Sequence, residues 1–470
     1  MRGVHARCTI PPGTVCMSIP RRCLITVEMG QATEIGRAIL SSELELDAPK
    51  HIYLMIYILW DRKVNGSRSF FHPYYEILPP TLQNMPIFWN ASELAELQGS
   101  HLLHQIADRN QAIAKDYVAI CRVAPELESI CTLQEFKWAR MCVCSRNFGL
   151  QMDGHRTSAM VPHADMLNHY RPRETKWTFD ATRQAFTITT LQAIPGGAEV
   201  LDSYGQKCNH RFLLNYGFAV EDNTEIDGFC PNEVPLELTL KSNASAEQWG
   251  FWLRCDPSAT KRVRVCASNN ESTRFLFSLL RTMALTDREL HTLTIIVPST
   301  ASSSSSCADV RHPVSIRNER ETLQLLYHVC ATQMERYPTT LDEDLALLQN
   351  VELYPMFSNQ RHAKIQVRGE KEVLQHFQEW ARIGLSVLHT LEQELEHRTT
   401  TTTTTHVENS FDYTIRKMEL DERVHHTILR YCADVLGSLR REELKRQRQV
   451  QFQQPTATTH TTTTGRRLPK

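Results

Sequence analysis

The sequence predicts an α+β fold: a β-rich core split by a helical insert, followed by an all-α C-terminal region. Three observations carry this. Trp177, Phe179, Phe186 and Ile188 sit at alternating positions on either side of residues 180–184, as two strands and a short connection require. Residues 31–136 turn helical in pattern, and after residue 227 apolar positions recur at three- and four-residue spacing, the period of a helix with one buried face. With 470 residues, the chain is long enough for two or three domains that each bury a core.

In order along the chain, residues 1–26 read as short strands and turns: Gly3-Val4-His5-Ala6, Ile10-Pro11-Pro12-Gly13, then a strand over 15–19. The longest apolar run, 52–60, is too short to span a bilayer and reads as a buried helix. Ser92 stands where a helix cap is expected. After the hairpin, Pro195-Gly196-Gly197 predicts a turn and 199–201 a third short strand. Helices are expected over 275–283, 286–293, 319–337, 342–348 and 371–395. Residues 302–306 and 399–405 read as low-complexity loops, and 456–470 as a disordered tail. The expected divisions are 1–30, N-terminal strands; 31–135, helical insert; 136–226, the rest of the β-rich core; 227–450, a helical domain; and 451–470, the tail.

Lys plus Arg total 52 against 53 for Asp plus Glu, so bulk charge argues against a general nucleic-acid or membrane-surface binder. Fourteen cysteines without paired spacing, and no secretory signal, read as reduced thiols. The expectation is a soluble monomer in cytoplasm or nucleus, an organelle address staying open if the N-terminus is incomplete. The basic run Arg440, Arg441, Lys445, Arg446 and Arg448 reads as a solvated helix end, and Cys142 and Cys144 as buried thiols.

Three motifs stand in order: Asp165-Met166-Leu167-Asn168-His169, then Ser203-Tyr204-Gly205, then Asn215-Tyr216-Gly217-Phe218. With strands between the first two, they resemble the C-terminal half of the SET domain, in the subfamily of Rubisco lysine methyltransferase and actin-histidine methyltransferase. Phe71 to Pro79 (Phe-His-Pro-Tyr-Tyr-Glu-Ile-Leu-Pro) resembles that subfamily's Trp-x-Pro-Tyr-x-x-x-Leu-Pro signature. The opening departs from the family's Gly-x-Gly: the first glycine is missing and only Arg2-Gly3 remains. Either the true N-terminus is absent, or the cofactor loop is built differently.

The resemblance implies a protein methyltransferase using S-adenosylmethionine, with a protein as substrate and the C-terminal helices as its holder. It implies Tyr204 as the catalytic residue. Glu28, Arg146, Asp165, Asn168, His169, Tyr216, Gly217 and Phe218 would hold the cofactor. Phe148, Ala164 and Lys207 would face the substrate. No metal is expected, although His163, Asp165 and His169 are residue types suited to zinc or iron.

These residue types fit the chemistry. An amide such as Asn168 offers both donor and acceptor, and Arg146 is a fixed cation for a carboxylate. A phenol beside a sulfonium has its ionised form favoured, which lowers its pKa. A lysine nucleophile must arrive neutral although free lysine titrates near ~10.4, which an apolar channel would assist. The histidine enzymes carry an Asn two positions after the arginine, a Trp before the Asp, and an Arg at the Lys207 position. Phe148, Ala164 and Lys207 depart from all three, so lysine on a non-histone protein is the expected acceptor. Histidine, and a catalytically silent adaptor, remain the alternatives.

Overall fold

The computed structural model describes residues 3–255, 257–268, 270–296, 310–400, 410–422 and 424–453. The expected loop 302–306 and tail 456–470 lie outside the described residues, as does 399–405 beyond residue 400. Two compact units emerge: Met1–Pro235 with Arg264–Asn270 and Thr332–Leu374, and Leu236–Val263 with Glu271–Ala331 and Gln375–Lys470.

The first unit contains six strands: β1 Val15–Pro20, β2 Ile25–Thr26, β3 Asn147–Met152, β4 His155–Met160, β5 Thr175–Asp180 and β6 Ala185–Thr190. They form two antiparallel sheets, in the orders β1-β6-β5 and β2-β4-β3. The hairpin falls where the alternating aromatics put it. Trp177 pairs with Ile188 and Phe179 with Phe186, while Asp180 Oδ1 accepts from the Thr182 and Arg183 N–H groups to close the turn. Beneath lies a core of Leu24, Leu150, Val161, Ala164, Leu167, Phe186 and Ile188.

The helical insert separates β2 from β3. Its helix Pro49–Val64 buries Ile52, Leu54, Met55, Ile56 and Ile58, which is why the apolar run is continuous. No helix among the described residues is long and apolar enough to cross a membrane. A capping box of Thr132 and Glu135 starts the helix Leu133–Arg146, and the Asn147 amide donates to the Val143 carbonyl at 2.7 Å where that helix gives way to β3. Arg146 therefore sits at a helix–strand junction beside the site.

Several local expectations are corrected. Asn90, not Ser92, caps the helix Ala91–Ala95, because Asn90 and Glu93 satisfy each other's backbone donors in a capping box. Residues 199–201 form no regular strand: only isolated bridges join His5 to Glu199 and His169 to Asp202. The C-terminal region also holds a two-stranded sheet, β7 Val234–Thr239 with β8 Thr260–Val265. Cys142 is buried as expected, but Cys144 is only half-buried.

The second unit is mainly helical. Its helix Asn270–Met283 offers Arg281, which donates to both carboxylate oxygens of Glu319 at 2.7 Å, while the Tyr431 hydroxyl donates to the same group at 2.7 Å. All three are buried, so the charges are held by each other rather than by water. Arg440 is not solvated as expected; it lies between Glu394 (2.6 Å) and Asp412 (3.1 Å), whereas Arg441, Lys445, Arg446 and Arg448 are exposed.

Candidate active site

The first site motif follows β4 as a short 3-10 turn, Ala164–Met166, entered through His163 at φ +75°. Buried Ala164 and Leu167 fix it to the core. Arg146 Nη1 donates to the Asp165 carbonyl at 3.1 Å and to Oδ2 at 3.2 Å, and the Tyr74 hydroxyl donates to Oδ2 at 2.8 Å. The Asp165 side chain is wholly buried, so its charge survives only through such partners. Burial pushes its carboxyl upward, against the pull of Arg146 and Tyr74. Two buried atoms of this pair, Arg146 Nε and Asp165 Oδ1, have no partner in the protein.

Tyr204 is held at both ends. Its N–H donates to His169 Nδ1 at 3.0 Å, and its hydroxyl donates to the Leu167 carbonyl at 2.8 Å. Burial, with Arg171 and Lys207 nearby, lowers His169 to about 4, so the ring is neutral and carries its proton on Nε2. The Tyr204 ring stacks on Tyr216 with centroids 4.8 Å apart, and Phe212 and Phe218 stack behind at 5.2 Å. Burial raises the Tyr204 phenol well above its ordinary value, so in the chain itself it is neutral; the expected lowering needs an adjacent sulfonium. Gly217, at φ +77°, ends the helix Asn209–Tyr216, and a Cβ there would meet the Asn84 amide at 2.2 Å.

A cavity of about 230 Å³ opens between these elements. Of the residues singled out in the sequence, Tyr204, Arg146, Asp165, Tyr216, Phe148, Ala164 and Lys207 line it. His169, Gly217 and Phe218 stand outside that lining, with the His169 and Phe218 rings within 5.1 and 6.3 Å of the Tyr204 ring. Asn168 lies elsewhere, donating to Glu199 Oε1 at 2.6 Å, where a Cβ on Gly3 would strike the same carboxylate. Glu28 is not brought to the others: it is exposed, with His155 Nε2 at 3.8 Å.

Sequence reasoning missed Trp177, Arg173 and Asp202, which line the cavity along with Leu167. Trp177 was legible as a strand aromatic; its T-shaped contact with Phe148 at 5.4 Å makes it a wall. Asp202 directly precedes Ser203-Tyr204-Gly205, the signal that could have found it. Its Oδ1 accepts from the Ser203 N–H at 2.7 Å, and burial pushes it up to about 6. The Lys207 ammonium donates to the Tyr204 carbonyl, and burial lowers its pKa. With Asp202, Arg173 and Lys207 in its wall, the channel is less apolar than expected. Ligand pockets for whole small molecules usually run about 300–1,000 Å³, so this cavity has room for a side chain or for one end of a larger ligand. The atoms of His163, Asp165 and His169 do not converge as metal ligands among the described residues.

Two small antiparallel sheets split by helices, with the motif loops meeting at one cavity, define the SET fold. Residues 1–205 match the SET domain family model, and residues 242–374 match the Rubisco LSMT substrate-binding family model. Residues 1–205 are thus similar to SET domains and residues 242–374 to Rubisco LSMT substrate-binding domains. Among curated proteins it is similar to the actin-histidine N-methyltransferases of Mus musculus (24% identical over 385 residues) and Homo sapiens (24% over 384). The alignments cover 79% of this chain and 62% of each relative. Among solved structures it is similar to the SET domain of LSMT bound to lysine and AdoHcy, at 20% identity and TM-score 0.66. It is also similar to Rubisco LSMT bound to AdoMet, at 21% and 0.65. Both matches cover 86% of this chain and 90% of the other, and at these identities they show the fold.

Proposed function

We propose that the chain is an S-adenosylmethionine-dependent protein methyltransferase that N-methylates lysine on a non-histone protein. The observation that carries this is the convergence of Arg146, Asp165, Phe148, Tyr204 and Tyr216 on one cavity. The cofactor supplies the methyl group on its own sulfonium leaving group. The unpartnered, buried Arg146 Nε and Asp165 Oδ1 suit its carboxylate and ammonium. Asn168, whose amide already meets the Glu199 carboxylate, and the His169 backbone would complete that hold.

The chain's own groups do the rest. Tyr204, anchored by Leu167 and His169, orients the incoming nitrogen, and holding the reactants in line supplies much of the acceleration. Phe148, Trp177 and Tyr216 exclude water around the lysine stem and tolerate a methylated ammonium. Asp202, whose charge acts on both the Tyr204 and Tyr216 phenols, gives an arriving ammonium a counter-charge, and that ammonium must lose a proton to solvent before its nitrogen can attack. That preference for a cation favours lysine over a neutral imidazole.

The names of the curated relatives favour a second reading, protein-histidine N-methylation. Incubating the chain with labelled cofactor and cell extract, then mapping modified residues by mass, separates the two. Label on lysine supports the proposal, and label confined to histidine transfers the assignment. Cofactor binding with no transfer to any extract protein would leave an adaptor.

A further inference from the structure

A second cluster lies away from the chemistry described above. Cys208 sits at the N-cap of the helix Asn209–Tyr216, His210 is one residue beyond Asn209, and Glu233 directly precedes β7. All three belong to the first unit. Cys208 and His210 are buried, and Glu233 is mostly so. Cys208 Sγ lies 3.5 Å from His210 Nε2 and 3.8 Å from Glu233 Oε1, and His210 Nε2 lies 3.7 Å from Glu233 Oε1.

We propose that Cys208, His210 and Glu233 bind one divalent cation of the zinc class. The triangle has the right size. Zinc bonds of about 2.3 Å to sulfur, about 2.0–2.1 Å to nitrogen and about 2.0–2.2 Å to oxygen, at tetrahedral angles, place such donors roughly 3.4–3.6 Å apart. The three observed separations sit within about 0.4 Å of those values.

Hydrogen bonds can also hold the three atoms together, the thiol and the Nε2–H both donating to the one Glu233 oxygen. A Cys–His–Glu relay puts the carboxylate on one imidazole nitrogen and the thiol on the other. Here sulfur and carboxylate both face Nε2. The cluster is therefore no proton relay, and its three Lewis bases share one small triangle, the donor set that a cation takes. On binding, the Cys208 S–H bond breaks, a metal–sulfur bond forms and the proton leaves to solvent. Arg264, 3.5 Å from the same Glu233 oxygen and 46% exposed, has room to swing aside.

The ion's role is structural. It would tie the first turn of the helix Asn209–Tyr216, which follows Lys207 of the cavity wall, to the segment entering β7. A Cys-x-His spacing without a second ligand pair gives no metal signal in sequence, because only the fold delivers Glu233.

Cobalt titration of the tag-free full chain tests this without any activity assay. The expected result is one equivalent bound, a sulfur-to-cobalt charge-transfer band that disappears in Cys208→Ser and persists in Cys144→Ser, and a melting temperature raised by zinc. Glu233→Gln should weaken cobalt binding at least tenfold, and decides the matter if Cys208→Ser does not fold. A folded wild-type chain without the charge-transfer band, or with one unchanged in Cys208→Ser or an affinity unchanged in Glu233→Gln, overturns the site.

Discussion

The Tyr204 hydroxyl donates to the Leu167 carbonyl at 2.8 Å, joining the third residue of the first motif to the centre of the second. Since the Tyr204 N–H also meets His169, one loop fixes both ends of this tyrosine. Tyr204→Phe keeps the ring stack on Tyr216 and removes only the oxygen. Steady-state kinetics should show turnover reduced by about 10²-fold or more, with cofactor affinity by calorimetry within a few-fold. The melting temperature should barely move, since a single hydrogen bond is worth about 1 kcal/mol.

Asp165 is the buried charge on which the first motif depends. Asp165→Ala strands the Arg146 guanidinium and should cost about 3–5 kcal/mol in urea unfolding, the usual range for breaking a buried pair. Tyr74→Phe removes one hydrogen bond to the same carboxylate and should cost about 1–3 kcal/mol. Equal losses from the two variants would show that the pair is not what holds the loop.

Asn168 meets Glu199 at 2.6 Å, outside the residues that line the cavity, and its cofactor role rests on the family resemblance. Asn168→Ala should weaken cofactor binding tenfold or more by calorimetry. Unchanged affinity would remove Asn168 from that role.

Asp202 makes a pH prediction for catalysis. With its carboxyl at about 6, kcat/KM should fall as pH drops below about 6, because the protonated acid no longer attracts an ammonium. Asp202→Asn should lose that acidic limb and fall about tenfold at neutral pH. A limb that persists in the variant assigns it to another group.

Stability carries its own pH signature. Burial lowers His51, His169, His362 and His376 to about 4. Between there and about 6.5 the unfolded chain binds more protons. Their contribution is therefore complete above about 6.5 and is lost as pH falls through about 4. Glu370, raised to about 7, and Asp202, raised to about 6, act in the opposite sense. With His210, lowered to about 3, joining these four histidines against two carboxyls, the melting temperature should fall on acidification from pH 7 to 4.5.

What the sequence disclosed follows from locality. The Trp177–Phe186 hairpin and the buried helix over 52–60 depend on neighbours in the chain, and they lie where the alternation and the apolar run put them. The cavity wall was only half legible. Asp202 and Arg173 are ordinary surface types in sequence, and only the loops that follow β6 and precede β5 bring them to the cavity. Asn90 displaced Ser92 as a cap because two candidates lay two residues apart and only Asn90 had Glu93 at the right distance. Glu28 was carried by resemblance alone, and the fold leaves it facing His155.

The most direct measurement is residue-level mass mapping after parallel incubations of wild type and Tyr204→Phe with labelled S-adenosylmethionine and a protein extract. Methyl-lysine should appear with wild type and vanish with Tyr204→Phe, both proteins binding the cofactor alike. Folded, cofactor-binding wild type that methylates only histidine, or a Tyr204→Phe variant as active as wild type, would contradict the account.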